Sequence, residues 1–270
     1  MKNKAFLSVP IIVIILVLIW IFMRENKVDK QTRDYPRIEG QGVLNIVTDY
    51  NSVGYFVSGD TIAGFNHDLI QLLKTYIPVE VDIQLESSLD KSMDGLKSGK
   101  YDIVARSIPV TSELRDSVNF TEPVAQNRQV LIQRKKAFND DVEPIRSHLA
   151  LAKKTLYVPA KSPVIMRIQN LAHEIGDTIY IKEDPTYGAE QLAMMVAAKD
   201  IDFAVCDEKA AANVAKTLPE IDYSTFIGFT HLEAWAVRRD APVLLDSLNV
   251  WIKRMKETQV YDKIYRKYYK

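Results

Sequence analysis

Two short apolar runs in this sequence end in residues able to do chemistry. YDIVARSI leaves Arg106 and Ser107 at its exit, and DFAVCDE leaves Asp207. A planar guanidinium fork suits a carboxylate, and a carboxylate suits an ammonium or the open N–H groups at a helix start. Arg106 is therefore expected either to clamp a ligand anion or to stand as a surface arginine. Asp207 either meets a cation or caps the EKAAANVAK helix that follows it. Ser107 and Thr111 either face a ligand or close their loop through local side-chain to backbone bonds. Tyr50, Tyr55 and Phe56, in an earlier loop, supply aromatic surface for a ligand's apolar part, with core or plain surface as the alternative.

Signs of catalysis are weak by comparison. The four histidines, His67, His148, His173 and His231, show no metal-ligand spacing in sequence, and neither a phosphate-cradling glycine loop nor a Gly-x-Ser-x-Gly turn is present. No metal and no cofactor is expected, and His67, opening a helix, reads as a capping or surface residue. The single cysteine, Cys206, sits in an apolar run as a buried, inert thiol and excludes an internal disulfide. Lys+Arg and Asp+Glu are both 35, so the net charge of zero gives no field to gather nucleic acid.

The elements that must position these residues begin after an anchor. Ala5 to Met23 is an uncharged apolar stretch long enough to cross a bilayer, too long for the core of a cleaved leader and without a small-x-small cleavage site. We read residues 1–24 as a transmembrane signal anchor, with a cleaved leader as the alternative. Positive charge lies on both sides of the stretch, so charge alone leaves its orientation open. Residues 25–42, polar and containing Pro36 and Gly40-Gln-Gly42, read as a linker.

From Val43 onward strands and helices alternate. VLNIVTDY reads as a buried strand, GFNHDLIQLLKTYI as a helix, VEVDIQLE as a half-buried strand, SLDKSMDGLKSG as a capped helix and YDIVARSI as a strand. Such alternation implies a largely parallel sheet with ligands at the carboxyl ends of the strands. The pattern then recurs. GLKSGKYDIVARS and MVAAKDIDFAVCDE share an amphipathic helix, a lysine near its end, an aspartate opening an apolar strand and a polar exit, as if one unit were built once per lobe. RQVLIQRK and EAWAVRRD are strand-like and are expected to carry the two crossings between lobes. The tail from Leu244 to Tyr268 is amphipathic, with Leu244, Leu248, Trp251, Ile252 and Met255 on one stripe and its basic residues on a solvated face.

These runs resemble the bacterial extracellular solute-binding proteins of family 3, which serve amino-acid uptake. LKSGKYDIVARSIPVTSELRDSVNFTEPV is the most specific piece. Gly64-Phe65-Asn66-His67-Asp68-Leu69 looks like the family's helix entry, and Asp202 to Asp207 like its second-lobe strand. Within that family NRQVLIQRK, HLEAWAVRRD and Asn249-Val-Trp251-Ile resemble the binding module of membrane-bound lytic murein transglycosylases of the F type, without the catalytic half that follows it there.

The resemblance implies an α/β, two-lobed type II periplasmic-binding-protein fold with a hinge of two crossings, preceded by the transmembrane helix. Residues 43–128 plus 236–270 form the first lobe and 129–235 the second. It implies that Asp207 meets a ligand ammonium, that Ser107 and Thr111 contact a ligand carboxylate, and that Ser162 lies near the ligand in the second lobe. The usual carboxylate-binding arginine position falls on Leu114, with Arg115 one place later, so Arg106 or Arg115 would have to serve. Pro109 also removes a backbone donor from this loop. Both departures point to a ligand other than a plain amino acid.

The reading is a membrane-anchored binder of a small amino-acid-like, peptide or peptidoglycan-fragment ligand, for uptake or sensing, and not an enzyme. The implied location is the inner membrane, with the globular part in the periplasm. An ABC permease or a cell-wall enzyme is the implied partner, and no nucleic acid. The alternatives are a pocket-less regulatory module for cell-wall enzymes and a dehydratase-like enzyme on the same fold.

Overall fold

The computed structural model describes residues 33–270, so the expected anchor over residues 1–24 falls outside the described residues. Among the described residues no helix is long and apolar enough to cross a membrane. They open with a helix where a linker was expected. Asp34 accepts the Tyr35 N–H at 2.7 Å and caps α1 (Tyr35–Gln41), with Pro36 in its first turn and Gly42 ending it at φ 76°. Asp34 also accepts the Leu244 N–H at 2.7 Å, Ile38 is fully buried, and Tyr35 meets Trp251 edge-on at 5.3 Å. A capping aspartate, an early proline and a terminal glycine are helix signals that outweigh the polar composition of this stretch.

The chain continues through β1 (Val43–Thr48), the hairpin of β2 (Phe56–Ser58) and β3 (Thr61–Ala63), α2 (Phe65–Leu73), β4 (Glu80–Leu85), α3 (Leu89–Lys97) and β5 (Ile103–Pro109). A short α4 (Ser112–Arg115) leads to β6 (Asn119–Phe120) and β7 (Ala125–Asn127). β1 lies parallel between β4 and β5. Alternation along these strands divides two cores. Leu44, Ile46, Ile103 and Ala105 pack with Phe65, Leu69 and Leu73 of α2, while Val47, Val104 and Ile108 pack with Met93 and Leu96 of α3. Gly64 enters α2 at φ 133°, and a Cβ there would lie 2.3 Å from the Gly54 carbonyl oxygen, so only glycine lets the loop at residues 51–55 close on the helix start.

A second sheet takes over at β8 (Gln129–Arg134). With β9 (Thr155–Pro159), α5 (Val164–Ile175), β10 (Tyr180–Asp184), α6 (Ala189–Ala197), β11 (Ala204–Asp207), α7 (Glu208–Thr217) and β12 (Ile221–Phe226) it has strand order β10-β9-β11-β8-β12. The chain then returns through β13 (His231–Val237) to the first sheet, whose order is β4-β1-β5-β13-β6 with β7 also on β13. α8 (Pro242–Lys256) and α9 (Gln259–Tyr269) finish it; Thr258 caps α9 and so divides the amphipathic tail into two helices.

The crossings are shorter than the strand-like runs expected to carry them. Arg128 alone separates β7 from β8, and residues 227–230 separate β12 from β13. Residues 231–235, expected in the second lobe, pair with β5 and β7 and so belong to the first. Both β8 and β13 are full strands buried inside their own sheets, because apolar runs of this length are more stable paired than spanning a gap.

The two matched units superpose in kind. α3 turns into β5 through Gly99 at φ 79°, and α6 turns into β11 through Lys199 at φ 67°. Each strand is preceded by an aspartate held by arginine: Asp102 by Arg33 at 2.7 Å, and Asp202 by Arg134 at 2.5 Å.

Candidate binding cleft

Strand alternation decides where the residues at the exit of β5 point. Arg106 shares a face with Val104 and Ile108 and turns toward α3; Ser107 shares the opposite face with Ile103 and Ala105. The Arg106 guanidinium bonds Asp49 at 3.0 Å, the Glu86 carbonyl at 3.2 Å, the Ser87 carbonyl at 3.3 Å and Ser92 Oγ at 3.4 Å. The fork expected for a ligand anion is therefore committed to bracing the loop after β4. Ser107 Oγ lies 3.2 Å from the phenol of Tyr269, the last residue of α9.

That phenol leads to the acidic centre of the molecule. Tyr269 is packed against Phe65 at 4.6 Å and Tyr265 at 5.2 Å, and its hydroxyl donates to Glu233 Oε2 at 2.7 Å. Glu233 is fully buried on β13, on the same face as Trp235, and its other oxygen accepts from Asn127 Nδ2 at 3.2 Å. From the second sheet Asp207 arrives at the end of β11 and accepts from Gln129 Nε2 at 2.5 Å. It stands at the N-cap position of α7, yet its side chain makes no capping bond, so the alternative role as a helix cap is not the one taken.

His231, at the start of β13, completes the group. Its ring is hydrogen-bonded to the Phe229 carbonyl, and Nε2 is buried without a partner. One ligand-capable atom each from Asp207, His231 and Glu233 lies within 4.8 Å of the others, with His231 Nε2 4.0 Å from Glu233 Oε1. Burial pushes the Asp207 carboxyl well above the ordinary carboxylate range, and the nearby Glu233 pushes it further. Glu233 is likewise raised by burial, and burial lowers the His231 imidazole, which keeps it neutral.

The rim joins the two sheets directly. Ser52, in the loop after β1, donates its N–H at 3.0 Å and its hydroxyl at 2.7 Å to Glu190 Oε1 at the start of α6. Asn213 of α7 donates to the Ser52 carbonyl at 3.0 Å, and Lys161 reaches Asp90 at 2.6 Å. Burial raises the Glu190 carboxyl above its ordinary value.

Other expected residues lie in local roles. Thr111 accepts the Leu114 N–H at 3.3 Å as the cap of α4, on which Arg115 is exposed. Ser162 accepts the Val164 N–H at 3.5 Å at the entry to α5. Tyr55 is buried edge-on against His67 at 5.5 Å, and Tyr50 is 55% exposed. Cys206 is buried, and burial pushes its thiol well above the usual range. Sequence reasoning passed over Glu233, Glu190, His231, Gln129, Asn127 and Tyr269. The one available signal was Glu233 itself, a carboxylate inside the apolar run of β13.

Comparison with known proteins agrees with this architecture. A membrane-bound lytic murein transglycosylase F from Desulfosudis oleivorans is 26% identical over 235 residues, covering 86% of this chain and 50% of its own length. The chain spans about half the length of the curated relatives it matches. Among solved structures, the ancestral amino acid-binding protein AncCDT-1, a precursor of cyclohexadienyl dehydratase, superposes with TM-score 0.73 at 25% identity, covering 87% of this chain and 99% of that one. An ancestral arginine-binding protein bound to arginine gives 0.72 at 24% identity, covering 85% and 99%. The family described as bacterial extracellular solute-binding proteins, family 3, matches residues 44–270, which is most of the chain, and the protein belongs to that family.

Proposed function

We propose that the protein binds a small amino-acid-like, peptide or peptidoglycan-fragment solute between its two sheets and catalyses no reaction on it. The observation that carries this reading is the meeting of Asp207, from the second sheet, with Glu233, from the first. The donors that reach these carboxylates are the neutral Gln129, Asn127, Ser107 and Tyr269. Two neighbouring carboxylates held by neutral donors favour a cationic occupant, and an occupant touching both sheets favours the closed arrangement. The arginine-binding and amino acid-binding proteins of the same fold support this class of ligand. Residues 1–24 tether the chain to the inner membrane and the folded part faces the periplasm, where it serves uptake through a permease or sensing beside a cell-wall enzyme; the membrane-bound relatives support this placement.

The decisive experiment is thermal unfolding of the full chain against amino acids, short peptides and peptidoglycan fragments. A ligand at about a hundred times its dissociation constant adds roughly 2.7 kcal/mol, a readily measured shift. The shift is expected to disappear in Asp207→Ala. Absence of any shift would sink the proposal. It would favour the second reading, a regulatory module for cell-wall enzymes, for which the Ser52–Glu190 and Lys161–Asp90 contacts between lobes are the supporting observation. Product formation from a bound solute would favour the dehydratase-like alternative.

A further inference from the structure

Resting on the cleft being a solute site, the geometry points to a narrower ligand class: a primary ammonium group seated on a tripod of Asp207, His231 and Glu233, with no requirement for a neighbouring carboxylate. Three acceptor atoms converge there. Asp207 accepts from Gln129, Glu233 accepts from Tyr269 on Oε2 and from Asn127 on Oε1, which keeps a second lone pair, and the imidazole, bonded to the Phe229 carbonyl, has its buried, unpartnered Nε2 4.0 Å from Glu233 Oε1. A primary ammonium carries three N–H donors, one for each acceptor.

Spacing separates the candidate cations. Donors at about 2.8 Å in a tetrahedral ammonium put their acceptors about 4.6 Å apart. A divalent metal with bonds of about 2.0–2.1 Å would need its ligand atoms only about 3.3 Å apart. The atoms here lie within 4.8 Å of one another, the His231–Glu233 pair at 4.0 Å, a fit to the ammonium that a metal would have to contract. The carboxylate end of an amino acid finds no matching provision in the arginines expected for it. Arg106 is spent on Asp49 and two carbonyls, and Arg115 is exposed on α4.

The test is calorimetric titration of the full chain with 1,5-diaminopentane, lysine, their counterparts acetylated or trimethylated on every amino nitrogen, and zinc chloride with and without chelator. The diamine and lysine are expected to bind, and the acetylated and trimethylated probes, which lack three N–H donors on a charged nitrogen, are not. Glu233→Gln and His231→Ala should each weaken the diamine by about tenfold or more, and His231→Gln, which keeps an acceptor, should recover part of that loss. Retained unfolding cooperativity in each variant separates lost binding from lost fold. The tripod is overturned if the trimethylated probe binds as well as the amine, if zinc binds and the amine does not, or if neither variant changes the affinity. An acetylated ligand that binds equally to wild type and variants would overturn the tripod while leaving solute binding intact. Silence from every probe and from the wider ligand panel would overturn both.

Discussion

Two acidic regions of this protein face the same cleft and are treated in opposite ways. At the exit of β5, Asp49 is met by Arg106, and both side chains are nearly buried, at 16% and 13% exposure. Where β11 meets β13, Asp207 and Glu233 are held by neutral groups, two amides, a phenol and the Ser107 hydroxyl. The first region pairs its carboxylate with a cation inside the fold, although Asp49 Oδ1 stays buried without a partner, and it behaves as structure. The second carries an excess of negative charge, which the protein tolerates by raising both carboxyls, and it is the place where an incoming cation gains most.

Breaking the ion-paired region should have the largest effect. Arg106→Ala strands Asp49 without its cation and frees two carbonyls, and is expected to lower stability by about 3–5 kcal/mol in urea unfolding, with little recovery in Arg106→Lys because the fork is lost. Unchanged stability with lost ligand affinity would reverse the assignment of Arg106. Next comes the rim: Ser52→Ala removes the 2.7 Å bond to half-buried Glu190 and should cost about 1 kcal/mol while widening the scattering profile as the lobes part. Glu233→Gln should act with the opposite sign in the ligand-free protein, raising stability by about 1 kcal/mol through removal of a buried charge beside the half-buried Asp207. A destabilised Glu233→Gln would mean that the pair is already compensated.

The smallest effects are those of pH, and they contrast the same two kinds of carboxylate. Burial raises Asp222, but the Arg146 guanidinium, bonded at 2.6 Å, more than offsets it, so its native pKa lies below the ordinary value. Its contribution is present above the unfolded carboxylate pKa and is lost as pH falls through the lower native one. The stability gap between wild type and Asp222→Asn, at most about 1 kcal/mol for so exposed a partner, should therefore close in acid. Glu190, raised by burial, behaves in reverse. Its ionisation in the native state lags that of the unfolded chain, so the stability of wild type relative to Glu190→Gln should fall as pH rises from the ordinary carboxylate pKa through the raised native one. Parallel pH profiles for the two variants would erase the distinction between compensated and uncompensated carboxylates.

Much of the architecture was written locally. Hydrophobic period placed β1, β5 and β11 and the helices between them, and the repeated helix-turn-strand unit with its polar exit pointed to two similar lobes. The same local reading failed at residues 35–41, where a cap, a proline and a glycine made a helix of a polar stretch, and in the run 233–240, where a crossing was expected and residues 233–237 stand in a paired strand. Residue types alone also identified Asp207 as a carboxylate at a strand exit. Its surroundings were decided only by tertiary structure. Glu233 and Asp207 are 26 residues apart and His231 two residues from Glu233, on strands of different sheets that the return of β13 brings together. Tyr269 reaches them from the far end of the chain because α9 packs on α2. No spacing in the sequence encodes such a convergence. The period of a strand tells which face a side chain takes; which other strand lies across from that face depends on how the two sheets are joined, and there the charge of a single residue acquires or loses its partner.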